Sequence, residues 1–301
     1  MPFHLPYEWL AVGAAACWAL ASFSSAPASA HLGAIAFTRW RMLFASLLLG
    51  AVTTWRGGWG TLDAAALGLL AASGLIGIFL GDSALFGCMN RLGPRRSGIL
   101  FATHSVFTAV LAWAWLSETL TGVTLAGALI LVGGVMLAIL FGKRADEAHP
   151  WEQVRGTLAV GVVLGLASAL CQAVATLMLK PLMASGTVDP VAASALRMVA
   201  ALGAHGLLWA SGAAVARPQN PPTVRVMLNT AWNAALAMGL GMTFILMALQ
   251  GGSASLVAVL SSVTPVLLLP LLWLAYGRRP PLGAWVGAVL TVTGGALILG
   301  R

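Results

Sequence analysis

Asp82, His104, Arg41 and Arg197 are ionisable residues set inside long apolar runs. A charged or polar group in hydrocarbon costs several kcal/mol unless it meets a partner or a cavity, so each is a candidate for chemistry. Asp82, after Gly81 in the third run, could sense protons or hold a substrate ammonium; equally, it could pair with an arginine such as Arg41 and hold a bundle together. The His104 imidazole, with an ordinary pKa of about 6.5, suits a proton relay, or it bonds neutral to a neighbouring helix. Arg41 and Arg197 could clasp a carboxylate through two parallel hydrogen bonds, or cap broken helix ends and snorkel. Trp18 sits in mid-run, away from the interface where tryptophans anchor, so it is core packing or a cavity wall; Phe86 is similarly placed. Aromatic walls with a few polar groups are the usual make-up of a ligand site. On that ground the substrate-binding candidates are Trp18, Asp82, Phe86, Asn90, His104, Gln172, Thr243 and Gln250.

The elements that must hold these residues are membrane-spanning helices. Hydrophobic residues make up 59% of the 301 positions and charged ones only 8%, too few to clothe a soluble surface. The mean hydropathy is +0.92. A span needs about 20 apolar residues, and ten candidates fit: 9–28, 32–54, 64–89, 97–116, 121–142, 156–179, 190–212, 227–249, 254–276 and 281–300. The runs are continuous rather than alternating and rich in Ala, Leu and Gly, which excludes strands. Ala28-Ser29-Ala30 looks like a signal-peptidase site, but the run before it lacks Lys and Arg and carries Glu8, so it is expected to stay as the first span.

The net charge of +8 does not point to nucleic acid, because the basic residues sit in short gaps between runs. With the N-terminus outside, the cytoplasmic gaps hold Arg91, Arg95, Arg96, Lys143, Arg144, Arg155, Arg217, Arg225, Arg278 and Arg279; the other side holds Arg56, Lys180 and Arg301. That bias places both termini outside the cytoplasm. Cys17, Cys88 and Cys171 lie in apolar runs without metal-like spacing. No phosphate-binding loop appears, and no cofactor is implied.

The chain repeats itself. Trp40-Arg41-Met42 matches Leu196-Arg197-Met198, Asn90 falls opposite Gln250, Ser83 opposite Thr243, and Ser24 opposite Gln172. Gly127 and Gly134 fall opposite Gly287 and Gly294. Residues 1–145 and 146–301 each hold five spans, and an odd number sends the second half into the membrane from the opposite side. The expected fold is all-α, ten transmembrane helices as two inverted five-helix repeats, a signature of secondary transporters. Spans three, four, eight and nine should surround the pathway, with one, six, two and seven as moving outer walls. Gly74, Gly77 and Gly81 give span three a small-residue face, and Pro265 and Pro270 should kink span nine.

Arg41-Met42-Leu43-Phe44-Ala45, repeated as Arg197-Met198-Val199-Ala200-Ala201, resembles the R-x-x-x-A of the drug/metabolite transporter superfamily, EamA type. Trp18 is similar to the tryptophan of that family's first helix, and Leu116-Ser117-Glu118 resembles its L-G-E turn. Two places depart from the pattern: Gly277-Arg278 stands where the family has Gly-Glu, and His104-Ser105 where it often has Ser-Pro, a pair that Thr264-Pro265 keeps. The resemblance implies a bacterial inner-membrane transporter of small metabolites. The length and layout are similar to those of amino-acid exporters, aromatic ones among them. The partners implied are a small-molecule substrate, the lipid bilayer and, through Asp82 or His104, protons. A lipid-modifying membrane enzyme is the alternative, but the eight acids are scattered and form no paired-carboxylate or Ser/His/Asp pattern.

Overall fold

A computed structural model describes residues 6–120, 122–141, 156–276 and 281–299. The loop at 143–155 and the Gly277-Arg278 turn lie outside the described residues. So do Lys143, Arg144, Arg155, Arg278, Arg279 and Arg301 of the basic residues counted above. Every regular element among the described residues is helical. Among the described residues, nine helices are long and apolar enough to cross a membrane: α1 (Tyr7–Leu32), α2 (Ala34–Arg56), α3 (Ala64–Pro94), α4 (Arg96–Leu116), α5 (Gly122–Leu140), α6 (Leu158–Ala184), α7 (Pro190–Ala210), α8 (Val224–Gly251) and α9 (Ala254–Leu271). A tenth apolar helix, α10 (Leu282–Leu299), completes the set. Several helices outrun their apolar stretches; α3 reaches Pro94, because hydropathy sees only the greasy middle and Gly93 (φ 83) supplies the actual break.

The inversion is visible where equivalent helices meet. Gly127 of α5 lies against Gly294 of α10, and Gly134 against Gly287: a Cβ on Gly127 would stand 2.8 Å from the Gly294 carbonyl, and one on Gly134 2.7 Å from that of Gly287. Gly127 matches Gly287 in the repeat and Gly134 matches Gly294. Each contact is therefore the other one rotated, and the two helices run antiparallel. Without side chains the backbones approach closely, the small-residue packing expected in lipid. The pair α2 and α7 behaves alike. Arg56 at the end of α2 pairs with Asp189 at the start of α7 at 3.1 Å, while Arg39 near the start of α2 lies over the Trp209 ring near the end of α7, 5.5 Å to its centroid.

The small face expected on span three is used against α6 and α7. A Cβ on Gly77 would meet Ala175, and one on Gly74 the backbone of Arg197. Trp9 and Trp55 are exposed near helix ends, as interfacial anchors are.

Two helices carry matched irregularities. Leu75–Asp82 of α3 and Ala234–Gly241 of α8 are both π-helical. Such segments are rare and concentrate at functional sites. α4 breaks at Thr103, and α9 stops at Ser261 and restarts at Thr264. Pro265 explains the second break: it has no N–H to give, and its ring would collide with the Ser261 carbonyl. That carbonyl accepts from the Thr264 hydroxyl at 3.2 Å.

Candidate functional site

The break in α4 places His104 at the start of a new helical segment, facing the middle of the bundle. Local hydroxyls absorb the disturbed backbone: Thr103 donates to the Leu100 carbonyl at 2.6 Å, Ser105 to Ala102 at 2.9 Å and Thr108 to His104 at 2.7 Å. The imidazole itself is 3% exposed, its Nδ1 has no partner, and Phe101 lies beside it with ring centroids 5.0 Å apart. It borders a small cavity with Trp18 of α1, Thr108 of α4, Gln172 and Thr176 of α6, Ile245 of α8, and Val257, Ala258 and Ser261 of α9.

The sequence expectation had α1 and α6 as outer walls; the cavity instead takes Trp18 from one and Gln172 from the other. The reason is a bond between halves. The Trp18 indole N–H donates to the Ala237 carbonyl at 3.0 Å, inside the π-helical segment of α8, and draws α1 to the centre. Thr108, Thr176 and Ser261 were not singled out from the sequence. Thr108 follows His104 by four residues and Thr176 follows Gln172 by four, so helical periodicity carries that signal.

The cavity is ≈ 10 Å³, room for about one water. No metabolite fits it in this conformation. A larger groove of ≈ 450 Å³ runs between α2, α3 and α6, but its walls, among them Ile35, Phe79, Leu80, Leu164 and Ala167, are almost wholly apolar. It suits a lipid chain rather than a polar solute.

The other candidates lie elsewhere. Asp82, at the end of the π-helical segment of α3, accepts from Arg41 Nη1 at 3.1 Å. Phe86, one turn on, lies under the same guanidinium with its ring centroid 5.1 Å from Cζ, and packs edge-on to Phe37 at 4.7 Å. Asn90 exchanges two bonds with Ser29 of α1: it accepts from the hydroxyl and donates to the carbonyl, both at 3.1 Å. Thr243 donates to the Gly239 carbonyl at 2.6 Å and meets Ser194 of α7 at 3.2 Å. Gln250 is exposed at the end of α8. Of the eight candidates, the fold brings Trp18, His104 and Gln172 together. It sets Asp82 with Phe86 in a separate charged cluster and leaves Asn90, Thr243 and Gln250 apart.

The charged cluster is built from matched positions. Arg41 is 4% exposed and Arg197 1% exposed, and Asp82 pairs with the first of them. Burial at that depth without compensation is costly; the Arg41–Asp82 pair ties α2 to α3, while the Arg197 guanidinium of α7 lies beside Gly77 of α3.

Ten apolar helices in two antiparallel halves, closing on a polar cavity at the helix breaks, define a multi-pass membrane protein of the inverted-repeat kind. The chain belongs to the EamA-like transporter family, whose model matches residues 5–140 and again 159–300, once in each half. It is thus a member of a family of membrane transporters, with lipid as its surrounding and small metabolites as the class of cargo. No curated protein matches the chain. A crystal structure described only as that of a protein matches with a TM-score of 0.74 and 19% identity, covering 97% of this chain and 95% of the other, a likeness of fold.

Proposed function

We propose that the protein is a secondary transporter that exports an amino acid, aromatic amino acids included, by alternating access at the cavity between its halves. One observation carries this reading: Trp18, His104 and Gln172, from α1, α4 and α6, face one space beside the breaks of α4 and α9. An indole, an imidazole and an amide, with the hydroxyls of Thr108, Thr176 and Ser261, offer stacking and both senses of hydrogen bond. The cavity is too small for cargo here, so binding requires α4 and α9 to part at their breaks. Asp82, Phe86, Asn90, Thr243 and Gln250 act in this reading as supports for the moving helices. The family resemblance supports a bacterial inner membrane as its place, and the basic-residue bias supports both termini outside the cytoplasm.

Among the lining residues, His104 is the titratable one, so it is the group that would carry a coupled proton. The test is counterflow of labelled amino acids in proteoliposomes. His104→Ala and Gln172→Ala should each lower exchange by about tenfold or more, the loss of one or two hydrogen bonds to cargo. Wild-type protein that exchanges no amino acid would overturn the cargo class, and full rates in both variants would overturn the site. A pH profile unchanged in His104→Gln would remove the proton role.

A further inference from the structure

Two buried arginines, Arg41 and Arg197, lie against the helix that carries Asp82, and Asp82 pairs with one of them. Arg41 donates to its Oδ2 at 3.1 Å. Arg197, at the equivalent place in the second half, forms no ion pair among the described residues; the Nε of both arginines is without a partner. Yet the Nη2 of Arg197 lies close to α3: a Cβ on Gly77 would stand 3.3 Å from it. Gly77 precedes Asp82 by five residues, one turn of the π-helical segment that ends there. The second half has no matching acid, since Gly241 and Met242 stand at that place. The cluster therefore has two cations, one anion and a net charge of +1.

One carboxylate cannot fully pair two guanidiniums. Whichever arginine it takes, the other is left buried and short of an anion. That is the energetic form of a bistable element. The π-helical segment supplies the motion. If its extra residue passed along the helix, changing i→i+5 bonds to i→i+4 bonds, Asp82 would rotate.

We propose that Asp82 is a two-position switch, paired with Arg41 in the conformation described here and with Arg197 in the conformation of opposite access. The inference rests on the alternating-access reading above, in which the two halves exchange shapes.

The test uses distances rather than transport. Spin labels at Thr119 and Gly251 report one end of the molecule, and labels at Arg91 and Thr223 the other; both pairs flank α4 and α8. Arg197→Gln leaves Asp82 with Arg41 and should shift the population ratio about tenfold toward the present conformation. Arg41→Gln leaves it with Arg197 and should shift the ratio about tenfold the other way. Each variant lowers the buried net charge to zero, so neither is left with an unpaired cation. On an Asp82→Asn background the two arginine variants should give one and the same distribution. Shifts in the same direction, or none, would overturn the switch while leaving alternating access intact. A single conformation in every protein, with both ends unchanged by cargo, would overturn the access reading and the switch with it.

Discussion

Glu118, in the turn after α4, caps the first turn of α9 in the other half of the molecule. Its carboxylate accepts from the backbone N–H of Ala254 at 2.9 Å, and from the N–H and hydroxyl of Ser255 at 3.1 and 3.0 Å. A helix start leaves N–H groups without partners and carries partial positive charge, so an anion there is doubly favoured. In this chain that anion comes from 136 residues away and ties the halves at one end. Glu118→Gln should lower stability in detergent by about 2 kcal/mol, as expected for bonds to a charged group. Amide exchange at Ala254 and Ser255 should speed up. Unchanged protection there would mean the cap contributes nothing.

The neighbouring Ser117 holds φ 54, the one non-glycine positive φ among the described residues. The family's turn carries glycine at that place. Left-handed backbone costs an L-residue about 1–2 kcal/mol, so Ser117→Gly should stabilise the protein by about 1 kcal/mol. A melting temperature that falls would show that the serine side chain has a compensating role.

Gly133 and Gly134 are adjacent on α5 and make opposite predictions. A Cβ on Gly134 would stand 2.5 Å from the Thr291 backbone nitrogen, whereas one on Gly133 meets nothing within 4 Å. Gly134→Ala should cost about 2 kcal/mol by forcing α5 and α10 apart. Gly133→Ala should be neutral or gain about 0.5 kcal/mol through lower backbone entropy in the unfolded chain. Equal effects in a detergent unfolding series would mean that the two helices do not meet at these glycines.

Trp18→Phe keeps a ring at the cavity but deletes the bond to Ala237. The expected loss is about 1 kcal/mol of stability, the net worth of one hydrogen bond. Indole fluorescence in a protein keeping Trp18 as its sole tryptophan should respond to cargo. A spectrum indifferent to every transported solute would place cargo away from α1.

The spans were legible because hydropathy reads the one property that lipid demands. Arg41 and Arg197 revealed the repeat because two intramembrane arginines at matched positions are rare by chance. The glycines at 127, 134, 287 and 294 were legible as matched positions but not as contacts. Only the antiparallel meeting of α5 and α10 turns that match into a pseudo-twofold interface. The break in α9 was readable from Pro265, whose chemistry acts locally. The break at Thr103 had no such marker, and neither had the π-helical segments of α3 and α8.

The amino-acid sequence by itself determined a ten-helix membrane protein in two opposed halves, because span length, polarity and repetition along a chain need no partner to be expressed. Only the tertiary structure decided which polar residues share a space. Asp82 and His104 looked alike as lone ionisable groups in apolar runs. One closes on Arg41 and the other borders a cavity, because a helix's rotation and its neighbours are set by packing among all ten helices, which no single segment encodes.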